Sequence, residues 1–271
     1  MPRTGNAGWL ERLRLNKLRL DRTLLLRGLV STRSQAQNYI KLGKVKVNER
    51  VINKPGFLVA ESDSLELTQA ERYVSRAALK LASVTLALKL NFRGKVVLDV
   101  GSSTGGFTDY ALRAGAKKVI AVDVGTKQLH PSLRADKRVE LHEKADIRNV
   151  RLKTREFRGR KSGPILKSAP EIILVDVSFV SLRMILPHIV TLCKSTTELV
   201  VLLKPQFEAG RQQINKGVVK NDTIRRRILK DFEAWAAGHG FLVTAKADSE
   251  VAGARGNRER FYLLKVLPRT L

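Results

Sequence analysis

A single cysteine, Cys193, is all the thiol chemistry that this chain of 271 residues carries. That count excludes an internal disulfide and any Cys-rich metal cluster. Because Cys193 closes the apolar stretch Ile189, Val190, Thr191, Leu192, it reads as a small buried hydrophobe rather than a nucleophile. The 4 histidines are scattered without metal-ligand spacing, so no metal is expected. No apolar run approaches the roughly 18 residues of a spanning helix, so no membrane association is expected. The stretch from Met1 to Lys17 carries several arginines and Glu11 but neither an apolar core nor a cleavage site, and the expected compartment is the cytoplasm. Acidic residues are scarce too: 25 Asp and Glu stand against 51 Lys and Arg, a formal charge of +26. Such a surface attracts polyanions, and nucleic acid is the natural partner.

The length exceeds a typical domain of about 100 to 200 residues, and the pattern divides accordingly. A basic N-terminal extension (1–17) precedes a small α+β unit (18–67), a short linker (68–72) and a larger α/β domain (73–271). In the small unit, one helix is expected near Asp21 to Arg27, ending at Gly28. A second is expected to begin around Thr32, Arg33, Ser34 and Gln35, with Ser or Thr as N-cap, and to end at Gly43. Alternation over Val45 to Asn48 predicts a strand, Asn48 to Arg50 a turn, and Leu65 to Leu67 a closing strand. The basic residues Arg19, Arg22, Arg27, Arg33, Lys41 and Lys44 gather on and beside these helices, where backbone N–H groups and side-chain cations can both meet phosphate.

The larger domain opens with apolar residues at helical spacing from Tyr73 through Leu90, a predicted helix that carries Lys80. The run Val97-Leu98-Asp99-Val100 then breaks into Gly101-Ser102-Ser103-Thr104-Gly105-Gly106, a buried strand entering a glycine turn ahead of a helix near Phe107. A dinucleotide fingerprint needs G-x-G-x-x-G, but Ser103 holds its second glycine position and the pattern is G-x-x-x-G-G. A second strand ends in Asp123, placed to accept ribose hydroxyls, followed by Val124. A third leads to Asp146 and Ile147, an acid and an apolar neighbour for an adenine ring. The fourth strand ends at Asp176, the fifth at Lys204, and Glu259 opens the last. The connection from Asn149 to Pro170, with Arg151, Lys153, Arg155, Arg158, Arg160, Lys161 and Lys167, reads as a loop, either a solvated insert or a further contact for a phosphate backbone.

These motifs resemble known families. The pattern R-L-D-x-x-L-x-x-R-G-L-V, continuing through T-R-x-x-A to G-x-V-x-V-N, is similar to the alpha-L RNA-binding module over residues 18–67. The glycine turn resembles that of S-adenosylmethionine-dependent methyltransferases, which implies a Rossmann-like sheet. The implied cofactor set is Asp99, Gly101, Ser102, Gly105, Gly106, Phe107, Asp123, Val124, Asp146, Ile147 and Asp176. Lys80, Asp176, Lys204 and Glu259, in this order, resemble the catalytic tetrad of the heat-shock rRNA methyltransferase type, with Lys204 as general base poised by Lys80 and the two acids orienting the lysines and the ribose. Amino methylation of a base would call for an N/D-P-P-Y/F-like loop after the fourth strand, where this chain reads Asp176-Val177-Ser178-Phe179. Together with S-R-A-A-x-K-L and L-L-K-P-Q-F-E, the chain is similar almost throughout to the TlyA family. That resemblance implies 2'-O-methylation of cytidine in ribosomal RNA, with ribosomal subunits as partners. The same family carries the label hemolysin, so a membrane-active hemolysin is one rival; an RNA-binding protein with a vestigial methyltransferase fold is the other. The chain departs from the family where Arg258 and Arg260 flank Glu259 and where the 149–170 connection is longer and more basic.

Overall fold

The computed structural model describes residues 17–30, 33–41, 43–67, 73–153, 163–210, 212, 214, 217–219, 221–253 and 255–267. The chain divides into two compact units, Met1–Arg72 and Tyr73–Leu271.

In the first unit, β1 (Leu18–Arg19) runs into α1 (Leu20–Leu26), followed by α2 (Arg33–Lys41), β2 (Val45–Val47), β3 (Arg50–Val51), β4 (Leu58–Val59) and β5 (Leu65–Leu67). Strands β3, β2 and β5 form one small sheet, while β1 pairs antiparallel with β4. Both helices lie where glycine punctuation sets them, and their apolar stripes bury Leu20, Leu24, Ala36 and Ile40 against Val45, Val47 and Val59. Asn48 and Glu49 connect β2 to β3 with φ of 47° and 67°, as a two-residue hairpin turn of the I′ kind demands. The expected N-cap residue Thr32 lies outside the described residues. Strands β1 and β4, two residues each, are too short to leave a periodic signal in the sequence.

The second unit begins with α3 (Arg76–Thr85), then alternates β6 (Val96–Val100), α4 (Gly106–Arg113), β7 (Lys118–Val122), α5 (Pro131–Arg134) and β8 (Val139–His142). After the short β9 (Arg151–Leu152) and β10 (Ile165–Leu166) come β11 (Ile172–Val175), α6 (Leu182–Ile189), β12 (Glu198–Leu203), α7 (Pro205–Glu208), α8 (Asp222–Gly238), β13 (Phe241–Asp248) and β14 (Arg260–Val266). The seven-stranded sheet has the order β13-β14-β12-β11-β6-β7-β8. Neighbours from β12 to β8 are parallel, and β14 is antiparallel to both of its neighbours.

Apolar residues continue along each central strand because both faces are covered. Leu98, Ile173 and Val201 point to one face with Ile185, Leu186 and Phe232 of α6 and α8. Val97, Ile172 and Val200 point to the other with Leu81, Val84 and Phe107 of α3 and α4. The chain builds outward from β6 through β7 to β8, then resumes at β11 on the other side of β6. That reversal opens a crevice beyond the carboxyl ends of β6 and β11, the place where such sheets bind ligands.

Two expectations are corrected here, and one strand is added to them. The helix expected from Tyr73 to Leu90 spans only Arg76–Thr85, because the chain turns through Leu86 to Lys89, which takes φ of 53°, and tucks Leu88 and Leu90 into the core. The 149–170 connection is not all loop: β9 and β10 pair in parallel, Ile165 opposite Arg151; Arg155, Arg158, Arg160 and Lys161 lie outside the described residues. β13 was not read in the sequence, since its exposed residues alternate Leu, Thr and Lys on an edge strand with a bulge between Val243 and Ala245.

Candidate active site

Consecutive strand ends supply the polar groups. Gly101 follows β6, Asp123 follows β7, Asp176 follows β11 and Lys204 follows β12, so residues far apart in the chain meet along one edge of the sheet. Gly101 takes φ of +83°, and a Cβ there would lie 2.7 Å from the Asp176 carbonyl oxygen. Only glycine lets these two strand ends approach so closely. The cleft at this edge, ≈ 440 Å³ in volume, is lined by Gly101, Ser103, Asp123, Val124, Asp146, Ile147, Asp176, Ser178 and Phe179, among others.

Two lysine–carboxylate pairs stand at this edge. Lys204, its side chain 10% exposed, places Nζ 2.7 Å from Asp176 Oδ1 and donates a hydrogen bond to Ser178 Oγ at 2.9 Å. The Asp176 contact is an ion pair rather than an aligned hydrogen bond, since Oδ1 has no hydrogen-bond partner. Lys80 Nζ donates to Glu259 Oε2 at 2.6 Å, with the glutamate side chain 2% exposed. Leu203 of β12 stands opposite Arg260 of β14, so Lys204 and Glu259 occupy adjacent positions on neighbouring strands. The tetrad thus assembles as two ion pairs, each lysine facing its own carboxylate, instead of one lysine poised directly by the other. Pairing spares each buried lysine and carboxylate the cost of an uncompensated charge.

Arg76, one turn before Lys80, was missed by sequence reasoning. It donates to the Ala252 carbonyl at 2.8 Å, and burial lowers its pKa while the charge of Glu259 opposes that fall. It stands in the same S-R-A-A-x-K-L stretch as Lys80, where its charge alone does not set it apart from the many exposed arginines of this basic chain. Gly253 is required here as well: a Cβ would come within 2.5 Å of Glu259 Oε1.

The cofactor set expected from the sequence divides by location. Gly101, Asp123, Val124, Asp146, Ile147 and Asp176 line the cleft. Asp123 is fixed by backbone donors, Ser103 N at 2.8 Å and Gly125 N at 2.6 Å, one on each oxygen, and each oxygen keeps a lone pair for another donor. Asp146 caps the turn Ile147–Asn149 and receives Arg148 Nη2 at 2.6 Å; those bonds hold its carboxyl below the usual range. Its acceptor capacity is largely committed to Arg148. Asp99 is fully buried, with Thr108 Oγ1 donating to Oδ2 at 2.7 Å, and burial pushes its carboxyl up to about 7. Its Oδ1 and the buried Ser102 Oγ have no hydrogen-bond partner among the described residues.

Gly105, Gly106 and Phe107 do not line the cleft. Gly105 abuts Leu129 and Leu133, Gly106 abuts Ser75, Ala77 and the backbone of Ala78, and Phe107 packs 5.9 Å from Phe261 in the core. Gly105 lets the turn pack against Leu129 and the Leu133 side chain of α5, and Gly106 lets α4 dock against α3, packing roles that a glycine motif cannot distinguish from ligand approach. Ser178 and Phe179 do line the cleft, although the sequence reading used them only to exclude amino methylation. Cys193 is a half-buried thiol that burial pushes up to about 12, which removes it as a nucleophile.

In the first unit, Asp21 is fully buried and accepts from Arg19 Nε (3.0 Å), Arg19 Nη2 (3.0 Å), Arg33 Nε (3.1 Å) and Gln37 Nε2 (2.8 Å). The Arg19 bonds hold this carboxyl well below the usual carboxylate range. Arg19 and Arg33 are therefore held in place while their side chains stay 48% and 54% exposed. Arg22 is exposed on α1, and Lys44 is half-buried after α2. Arg27, expected on the RNA face, instead reaches the carbonyls of Glu61 (2.6 Å) and Asp63 (2.8 Å), since a guanidinium fork matches two loop oxygens. Lys41 ends α2, with its side chain outside the described residues.

Strand order, crevice and paired lysines define a Rossmann-like methyltransferase. The FtsJ-like methyltransferase model matches residues 73–266 and the S4 domain model matches residues 18–65; the chain belongs to the FtsJ-like methyltransferase family and carries an S4 domain. A Bacillus subtilis protein provisionally named rRNA methyltransferase YqxC is 39% identical over 245 residues, 90% of this chain and 84% of its own. The 16S/23S rRNA (cytidine-2'-O)-methyltransferase TlyA of Mycobacterium tuberculosis is 35% identical over 252 residues, 92% of this chain and 90% of that protein. A solved Streptococcus thermophilus structure, provisionally titled a hemolysin, is 36% identical with a TM-score of 0.69, covering 93% of this chain and 90% of that one.

Proposed function

We propose that this protein transfers the methyl group of S-adenosylmethionine to a ribose 2'-hydroxyl of cytidine in ribosomal RNA, using Lys204 as general base. The observation that carries the reading is the Lys204–Asp176 pair at 2.7 Å, standing at the strand end beside the cleft. Relatives named for this reaction span most of the chain. The residues fit the cofactor: Asp123 has acceptor capacity for ribose hydroxyls, and the unpartnered Asp99 Oδ1 and Ser102 Oγ are buried polar atoms that a polar methionine end would satisfy. When bound, the cofactor supplies an electrophilic methyl on a sulfonium sulfur.

The chain's own residues do the rest. Lys204 Nζ, unprotonated when it acts, would take the proton from the 2'-hydroxyl as that oxygen bonds to the methyl carbon and the methyl's bond to sulfur breaks, the bonding pair staying on the sulfur. Asp176 then faces a nitrogen that is becoming positive, stabilising charge where it develops. Lys80 and Glu259 neutralise each other beside it and orient the ribose. The exposed Phe179 offers a face on which the acceptor base can stack. Arg19, Arg22 and Arg33 hold phosphates of the RNA, whether free or in a ribosomal subunit, and an rRNA substrate sets the work in the cytoplasm. Among the described residues no helix is long and apolar enough to cross a membrane.

Mapping 2'-O-methylation in rRNA after incubation with the protein and labelled cofactor tests the reading. Label at a cytidine ribose supports it; label confined to base nitrogens, or none with wild-type protein that binds the cofactor, sinks it.

A further inference from the structure

The loop that carries Ser178 and Phe179 is fastened by the segment that follows β12, through contacts in matching order along both segments. Lys204 Nζ meets Ser178 Oγ at 2.9 Å, the rings of Phe207 and Phe179 lie 5.2 Å apart, and Glu208 receives the Ser181 hydroxyl at 2.6 Å and the Leu182 N–H at 2.7 Å. The middle residue is the unusual one. Phe179 takes φ of +66°, the left-handed region that a side chain disfavours, and the residue is 92% exposed. Such a conformation persists only where the surroundings over-determine it. A residue so exposed gains little from burial, so the restraint has to come from its neighbours. On one side stands Lys204; on the other stands Glu208.

Glu208 is suited to the task. Its side chain is 2% exposed, and both carboxylate oxygens are engaged at the start of α6, one by a hydroxyl and one by a backbone N–H, with Arg183 Nε 3.8 Å away. Burying an acid without substrate contact is unfavourable unless its bonds are needed. We propose that Glu208 is a positioning residue: by anchoring Ser181 and Leu182 it holds the 177–181 loop so that Ser178 meets Lys204 and the Phe179 ring faces the acceptor nucleotide. This rests on the methyl-transfer reading above and deepens it, by assigning to the L-L-K-P-Q-F-E motif a second duty besides the base.

The test compares Glu208→Ala and Glu208→Gln in the full chain, with Ser181→Ala as a milder variant that removes only the hydroxyl contact. Three quantities are read: amide exchange over residues 177–183, cofactor affinity by calorimetry, and single-turnover methyl transfer to rRNA across RNA concentrations. Expected for Glu208→Ala is exchange in that segment faster by roughly tenfold and methyl transfer slower by roughly tenfold or more, with cofactor affinity within about twofold of wild type. Glu208→Gln still accepts from Leu182 and recovers most of the rate; Ser181→Ala shifts exchange and rate in the same direction, less far. Unchanged exchange, an unchanged rate, or a rate that falls only in step with cofactor affinity overturns the proposal. If wild-type protein methylates no rRNA while Glu208→Ala still loosens the segment, the methyl-transfer reading falls and the positioning of the loop by Glu208 stands.

Discussion

Replacing Asp99 by Asn isolates the buried charge at the end of β6. In the folded chain burial pushes this carboxyl from 3.8 up to about 7; the Thr108 hydroxyl pulls it back, and the charges of Asp176 and Asp123 add to the rise. In the unfolded chain the group returns to 3.8, so across that interval the folded state holds a proton that the unfolded state releases. The folded pKa of an acid is raised here, so the contribution to stability is greatest below the lower value, declines as pH rises, and levels off above about 7. At about 1.4 kcal/mol per unit, three units amount to an upper bound of roughly 4 kcal/mol, lowered by whatever water reaches the carboxylate. Asparagine accepts the same Thr108 hydrogen bond on its amide oxygen and does not titrate. Urea unfolding of wild type and Asp99→Asn, followed by circular dichroism from pH ~4 to pH ~8, is expected to show the variant gaining on wild type by about 2 to 4 kcal/mol over the range. Parallel curves would mean that Asp99 is charged and compensated throughout, and the account of its burial would fail.

Lys204→Arg is expected to abolish methyl transfer while cofactor affinity stays within about twofold, because an arginine keeps its proton near neutral pH; wild-type single-turnover rates in that variant would remove Lys204 as the base. Asp123→Ala is expected to weaken cofactor binding by roughly 1 to 3 kcal/mol in calorimetry. No change would move the ribose away from the end of β7. Arg22→Ala is expected to weaken rRNA binding and reduce the salt slope by about one, without altering stability. Arg33→Ala, in contrast, leaves the buried Asp21 short of a partner and should also lower the stability of the first unit by roughly 1 to 3 kcal/mol; equal thermal stability in the two variants would refute the division between them.

The strand ends were legible because a buried parallel strand writes itself as an apolar run that stops at a polar residue, as at Asp123, Asp176 and Lys204. The order of Lys80, Asp176, Lys204 and Glu259 along the chain was legible too, but not who pairs with whom, since pairing depends on β14 inserting beside β12. Arg27 shows the limit for charge: its neighbours in sequence suggest an RNA face, whereas its partners are carbonyls more than thirty residues away. Gly105 and Gly106 show the limit for glycine, which records only that something comes close and not what. Glu208 was legible only as the last residue of the L-L-K-P-Q-F-E motif and its role not at all, because its bonds run to residues 26 and 27 positions earlier.

The Lys80–Glu259 bond joins positions 179 residues apart, from the first helix of the second unit to the edge of its last strand. On a ribosome adding about 5 to 20 residues per second, the glutamate follows the lysine by roughly 10 to 40 seconds. During that interval every strand of the sheet except β14 can already be present, yet the lysine has no carboxylate and the base has no neighbour on β12's open side. A nascent or truncated chain therefore holds no complete tetrad while its own synthesis is under way, and competence arrives in one step, with the docking of the strand that finishes the sheet.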